Sequence, residues 1–148
     1  MMKILLKFVG SLFTKLRGLK FTNYTTSNLD LKYFTLSEFD CPCCKGSGKK
    51  MDKKFLEKLD YARHNAQIPF KINSAYRCEA RNTLVGGRVG SSHLKFLAVD
   101  LAYNGSRERY IIVNALINVG INRIGIGKSF IHCDIDNLKD QDVIWLYN

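Results

Sequence analysis

Acidic residues, histidine, proline and tryptophan are all scarce in this chain of 148 residues. Asp+Glu number 13 against 23 Lys+Arg, which leaves a formal charge of +10. So few acids point to an anionic partner: nucleic acid, a membrane surface or an acidic polymer. Only 2 prolines occur, and no repeat or low-complexity tract is present, which excludes collagen-like and proline-rich architectures. No apolar run approaches the ~20 residues that span a bilayer. The 5 cysteines are an odd number, so a fully paired disulfide framework is excluded within one chain. Mostly reduced thiols and synthesis inside a cell are the expectation. What remains is ordinary for a folded domain: 46% hydrophobic and 24% charged residues, in a length that suits one core with or without a short appendage.

The basic excess is unevenly spread. Residues 1–20 hold Lys3, Lys7, Lys15, Arg17 and Lys20 and no acid, so half of the +10 sits there. Ile4, Leu5, Phe8, Val9, Leu12, Phe13 and Leu16 fall on one helical stripe, which predicts a basic amphipathic helix. Such a helix either packs on the rest of the protein or lies on an anionic membrane surface. The opening Met-Met-Lys-Ile-Leu-Leu is similar to the start of a signal peptide, but Lys7 interrupts the apolar stretch and no clean cleavage site follows. Secretion by a signal peptide is therefore not expected. Residues 21–30 are rich in Thr, Asn and Ser and read as a linker. The main domain is expected over residues 31–148.

Within it, Asp52 predicts the cap of a helix running to about Ala66, with Phe55, Leu56, Leu59 and Ala62 on its buried side. Residues 71–76 and 97–103 read as strands, and 82–92, with Gly86, Gly87 and Gly90, as a loop. Ser106 is the expected cap of a second helix through about Val119, closed by Gly120. Residues 124–126 and 130–135 suggest a hairpin around Gly127-Lys128, and 143–147 a last edge. Two helices and short strands without βαβ regularity indicate an α+β domain: a small antiparallel sheet with flanking helices.

Of the 3 histidines, His64 falls late in the first helix, where a solvated or helix-end role is expected. His93 follows the Gly-rich loop, and Asp100 lies seven residues on, in a strand. His132 and Asp134 are separated by one residue in the last hairpin, so both address one face while Cys133 points away. Two histidines and an aspartate are a three-ligand set for zinc with one position open. By spacing alone, the same residues also suit a hydrogen-bonded structural cluster. Cys41, Cys43 and Cys44 form Cys-Pro-Cys-Cys. Structural zinc takes four ligands, commonly as two spaced pairs. No second pair lies nearby in sequence, so buried or free thiols are expected. Cys78 and Cys133 adjoin Arg77 and His132, and a disulfide between them is conceivable.

The surroundings of these residues carry more information. Ser91-Ser92-His93-Leu94-Lys95-Phe96-Leu97-Ala98-Val99-Asp100 resembles the Ser-x-His-x-x-Gly-x-Ala-x-Asp motif of the D-alanyl-D-alanine carboxypeptidase family of zinc peptidases. Asn73-Ser74-Ala75-Tyr76-Arg77 is similar to its Ser-x-Tyr-Arg motif, and Asn82 with Gly86-Gly87 to its connecting segment. Gly125 to Asp134 resembles its closing Gly-x-Gly…Phe-x-His-x-Asp block, and Phe34 to Phe39 its opening. The resemblance spans roughly residues 33–136 and implies the fold shared with the hedgehog signalling domain. It further implies one Zn2+ on His93, Asp100 and His132, with Arg77 engaging the substrate and Ser91 orienting a ligand or the substrate. Many relatives place a carboxylate or histidine shortly before the last ligand. Here Lys128, Ser129 and Phe130 stand there, so Asp134 is the nominated general base. The swapped assignment, with Asp134 on zinc and His132 as base or transition-state stabiliser, stays open. Phe96 replaces the usual glycine, which predicts a re-routed loop or a ring lining the substrate cleft.

The expected function is zinc-dependent hydrolysis of an amide bond in bacterial peptidoglycan, as a D-Ala-D-Ala carboxypeptidase or an endolysin-type endopeptidase. The expected protein is a monomer of phage or bacterial origin, made in a bacterial cytoplasm and acting on the wall. A non-catalytic wall-binding module retaining the fold and zinc is the alternative. No nucleic-acid-binding signature accompanies the charge, so nucleic acid is not the expected partner.

Overall fold

A computed structural model describes residues 29–147 of the chain. The expected helix at 1–20, and all of the expected linker except Leu29 and Asp30, lie outside the described residues. Three helices and a five-stranded sheet make an α+β fold: α1 (Lys53–Ala66), α2 (Glu79–Leu84), α3 (Gly105–Asn118), β1 (Lys71–Ser74), β2 (Ala98–Ala102), β3 (Arg123–Ile126), β4 (Phe130–Asp134) and β5 (Val143–Leu146). The strand order is β1-β2-β4-β3-β5. All neighbours pair antiparallel except β3 and β5, which run parallel. The expectation of an antiparallel sheet thus fails at one edge. Residues 135–142 cross from the end of β4 back to the start of β3, and a return of that kind lays the next strand alongside its neighbour.

Local chemistry explains the element ends. Asp52 caps α1 as expected, its carboxylate accepting the Phe55 N–H at 2.9 Å. The N-cap of α3 is Asn104 and not Ser106, because Glu108 reaches back to accept the Asn104 N–H at 2.7 Å. α3 ends in a Schellman motif: Gly120 sits at φ +73, and the N–H groups of Gly120 and Ile121 return to the carbonyls of Ile117 and Leu116. The Gly-rich region read as loop begins one element late, since α2 takes in Asn82 to Leu84.

Alternation sorts the sheet into two faces. Val99, Leu101, Ile124, Ile131 and Cys133 are fully buried and meet Phe55, Leu59, Ile112 and Leu116 of the two long helices. Burying each such aliphatic side chain contributes about 1.5–3 kcal/mol, so this face holds the domain together. The opposite face carries a row of register partners: Ser74, Asp100, His132, Gly125 and Trp145, one from each strand. The next row pairs Asp134 with Arg123. Polar chemistry is thus set on the back of a rigid apolar layer.

Candidate metal centre and its surroundings

Asp100 and His132 are directly opposite each other on β2 and β4, the arrangement that brings cross-strand side chains closest. His93 comes from outside the sheet, in the 3-10 turn Ser92–Lys95. Ser91 caps that turn by accepting the His93 backbone N–H at 3.3 Å, so Ser91 positions the loop and does so through backbone. The donor atoms of His93, Asp100 and His132 all lie within 4.8 Å of one another, and all three residues are buried.

Each ligand is oriented from behind. His93 Nδ1 donates to the Ala75 carbonyl at 2.6 Å, which leaves Nε2 facing the cluster. His132 Nε2 donates to Asp134 Oδ2 at 3.0 Å, which leaves Nδ1 facing it. The two inward nitrogens are 3.2 Å apart and share Asp100 Oδ1, at 3.2 Å from His93 and 2.9 Å from His132. Asp100 Oδ2 is held by Arg77 Nη2, and Arg77 Nε donates to Ser74 Oγ at 2.8 Å. Two imidazole nitrogens and a carboxylate oxygen focused on one point fit a zinc ion, and the Ala75 carbonyl and Asp134 carboxylate behind the histidines are the outer partners such ligands use.

Charge follows the same plan. Burial lowers the pKa of His93 below its ordinary value, against the pull of Asp100. Burial would raise Asp100, but hydrogen bonds from His132 and His93 outweigh it and hold the carboxyl well below the carboxylate range. Burial also opposes protonation of His132, yet Asp100 and Asp134 together raise it. The shifts at His93 and Asp100 favour the neutral imidazole and the carboxylate, the forms that ligate a metal.

Asp134 does not stand where a free base would. Its side chain is 1% exposed. Oδ1 accepts from Arg123 Nε at 2.8 Å and from the Asp136 N–H at 2.9 Å, while Oδ2 is taken by His132. Nor does Asp134 belong to the converging donor set, so the geometry opposes the swapped assignment as well. Among the described residues, the side chains bonded to the three ligands from outside are Arg77 and Asp134.

Phe96 adopts a left-handed backbone at φ +62 despite its Cβ, a conformation that glycine takes without steric cost. Its ring stacks on Tyr76 at 3.9 Å and 10°. That stack contributes about 0.5–1.5 kcal/mol, against a left-handed cost of roughly 1–2 kcal/mol. The glycine blocks also acquire reasons. A Cβ on Gly125 would come 2.5 Å from the Tyr147 ring and 2.7 Å from Trp145. A Cβ on Gly87 would come 2.1 Å from Asn82 Oδ1. Trp145 and Tyr147 lie over His132, with ring centroids at 5.6 and 6.3 Å. Sequence reasoning missed both as site residues; the signal was their alternation on a strand whose neighbour is glycine. His64, at the helix end, shares a 2.7 Å hydrogen bond with the Tyr33 hydroxyl.

The cysteines divide otherwise than expected. Cys133 is buried in the helix-facing core, while Cys78 lies beside Cys41 and Cys43. The Cys78–Cys133 disulfide is not formed: both thiols are free, with Cys78 Sγ against Cys41 and Cys43 and Cys133 within the core.

A family model described as Peptidase M15 matches residues 32–134. Comparison with curated proteins finds no match.

Proposed function

This chain belongs to the M15 family of zinc peptidases, which includes D-Ala-D-Ala carboxypeptidase-type members, and on that premise we propose that it hydrolyses an amide bond in bacterial peptidoglycan peptides. The observation that carries this reading is the focus of His93 Nε2, His132 Nδ1 and Asp100 Oδ1 on one point of the polar sheet face. Zinc bound there supplies polarisation of a carbonyl and a water of lowered pKa. Arg77 spends Nε and Nη2 on Ser74 and Asp100, and its remaining Nη1 is the group offered to a substrate carboxylate. Asp134 holds the proton on His132 Nε2 and so fixes which nitrogen faces inward. Tyr147, with its ring 6.3 Å from that of His132, borders the site beside Trp145. Phe96 and Ser91 support the His93 loop.

Wall polymers are anionic, so the +10 concentrates the protein on its substrate. Residues 1–20 are assigned to delivery, at the wall or at an anionic membrane, and deletion of them is expected to weaken binding to anionic vesicles while zinc binding persists. Unchanged vesicle binding would remove the membrane role.

The test compares wild type with His132→Ala on purified peptidoglycan, with mass spectrometry of released fragments. Fragment masses identify a carboxypeptidase or an endopeptidase. Equal clearing by both proteins would sink the reading. One observation favours the non-catalytic wall-binding module: no unengaged carboxylate is bonded to the ligands among the described residues. Bound zinc without cleavage at any pH would decide for that module.

A further inference from the structure

We infer that Cys41, Cys43, Cys44 and Cys78 form a second metal site, a closed tetrathiolate centre for structural zinc. Their four sulfurs lie within 4.8 Å of one another. Three measured separations are 3.3 Å (Cys41–Cys43), 3.2 Å (Cys43–Cys78) and 3.8 Å (Cys41–Cys78). Four sulfurs at ~2.3 Å from a tetrahedral zinc stand about 3.8 Å apart, so the thiols already surround a space of the right size and need only a small expansion.

The turn that carries three of them is built to hold its shape. Asp40 accepts the N–H groups of Gly46 at 2.8 Å and Gly48 at 2.7 Å. Ser47 Oγ accepts the Cys41 N–H at 2.9 Å, and Cys44 N–H returns to the Cys41 carbonyl at 2.8 Å. Gly46 sits at φ +78, and a Cβ on Gly48 would strike the Leu36 carbonyl at 2.0 Å. The fourth sulfur arrives from the segment between β1 and α2.

Disulfides satisfy this cluster poorly. All four cysteines are free. Pairing Cys78 with any one of the others leaves two thiols of a single four-residue turn, and these pair only by closing a very small ring. One soft divalent ion satisfies all four at once. The site would also clamp the 41–44 turn to the segment that delivers the Ala75 carbonyl to His93 and Arg77 to Asp100. It does not depend on the peptidase reading, because its ligands are separate.

The test is metal content of the full chain by elemental analysis, with cobalt substitution as a second measurement. Wild type is expected to hold two zinc ions, and Cys78→Ser and His132→Ala one each. Cobalt in wild type and in His132→Ala should give an intense thiolate-to-metal charge-transfer band in the near ultraviolet, which Cys43→Ser and Cys78→Ser lose. One zinc in wild type that His132→Ala abolishes, or cobalt protein without the charge-transfer band, would overturn the proposal. So would a mass deficit of two hydrogens that marks a disulfide among these four. A wild-type protein with two zincs and no peptidase activity would uphold this site while the proposed function fails.

Discussion

The two metal-ligating clusters of this domain are built on opposite principles. His93, Asp100 and His132 are buried, come largely from paired strands, and are each held from behind by a hydrogen bond. The four cysteines lie in a turn and a helix cap, with Cys41 buried, Cys44 and Cys78 half-buried and Cys43 exposed. The first set has three ligands of mixed nitrogen and oxygen type and leaves a coordination position for chemistry. The second is complete in itself and has none to spare. Rigid sheet geometry aims an open site, whereas a turn suffices for a closed one, because a metal that takes all four of its ligands from protein orders them itself.

Breaking the open site should have the largest effect. His132→Ala is expected to cost ~10³-fold or more in kcat/KM, since the metal contributes several kcal/mol of transition-state stabilisation. Fragment release from peptidoglycan checks this, and the thiol cluster should keep its metal. Removal of zinc by a chelator should abolish the same activity, and zinc alone should restore it.

Asp134→Asn separates orientation from proton transfer. With its carboxylate behind His132, the expected loss is ~10–100-fold in zinc affinity, read by chelator competition. With zinc saturating, kcat should stay within about tenfold. A collapse of kcat at full zinc occupancy would return Asp134 to the role of base.

Asp136 tests the support beneath the His93 loop. Burial would raise its carboxyl, but hydrogen bonds from Lys95, the Leu138 backbone and Ser92 outweigh it and lower its pKa. A carboxyl depressed in the folded state stabilises above its unfolded value of about 4 and loses that contribution as pH falls through the folded value. Asp136→Asn should therefore lower the melting temperature at neutral pH and flatten its decline in acid. A parallel shift at all pH values would exclude the ionic role.

Phe96→Gly should have the smallest effect. Relief of the left-handed backbone and loss of the Tyr76 stack nearly offset each other, so stability should change by no more than about 1 kcal/mol. Denaturant unfolding measures the balance, and a loss beyond about 2 kcal/mol would mean that the ring does more than stack.

Much of the fold was legible because its signals are local. The apolar spacing of Phe55, Leu56, Leu59 and Ala62, the Asp52 cap and the Gly120 stop each act within one or two turns of chain. Of the ends that moved, the cap at Asn104 in place of Ser106 was decided by a side chain reaching across a turn, and the helix running to Leu84 in place of a loop is closed by backbone bonds from Val85. Strand alternation likewise put His132 and Asp134 on one face and Cys133 on the other.

By itself the sequence determined the α+β class, the family motifs and the identities of the three residues that converge. Only the tertiary structure decided what each motif residue touches. That β5 runs parallel beside β3 places Trp145 and Tyr147 over His132, and no local signal encodes strand order. That Arg123 and the Asp136 backbone occupy Asp134 depends on register between strands. That Cys78 joins a turn 34 positions earlier in the chain depends on where β1 ends. Periodicity and capping are properties of neighbouring residues, whereas a site is a meeting of distant ones, and the physics of distance is settled only when the chain has packed.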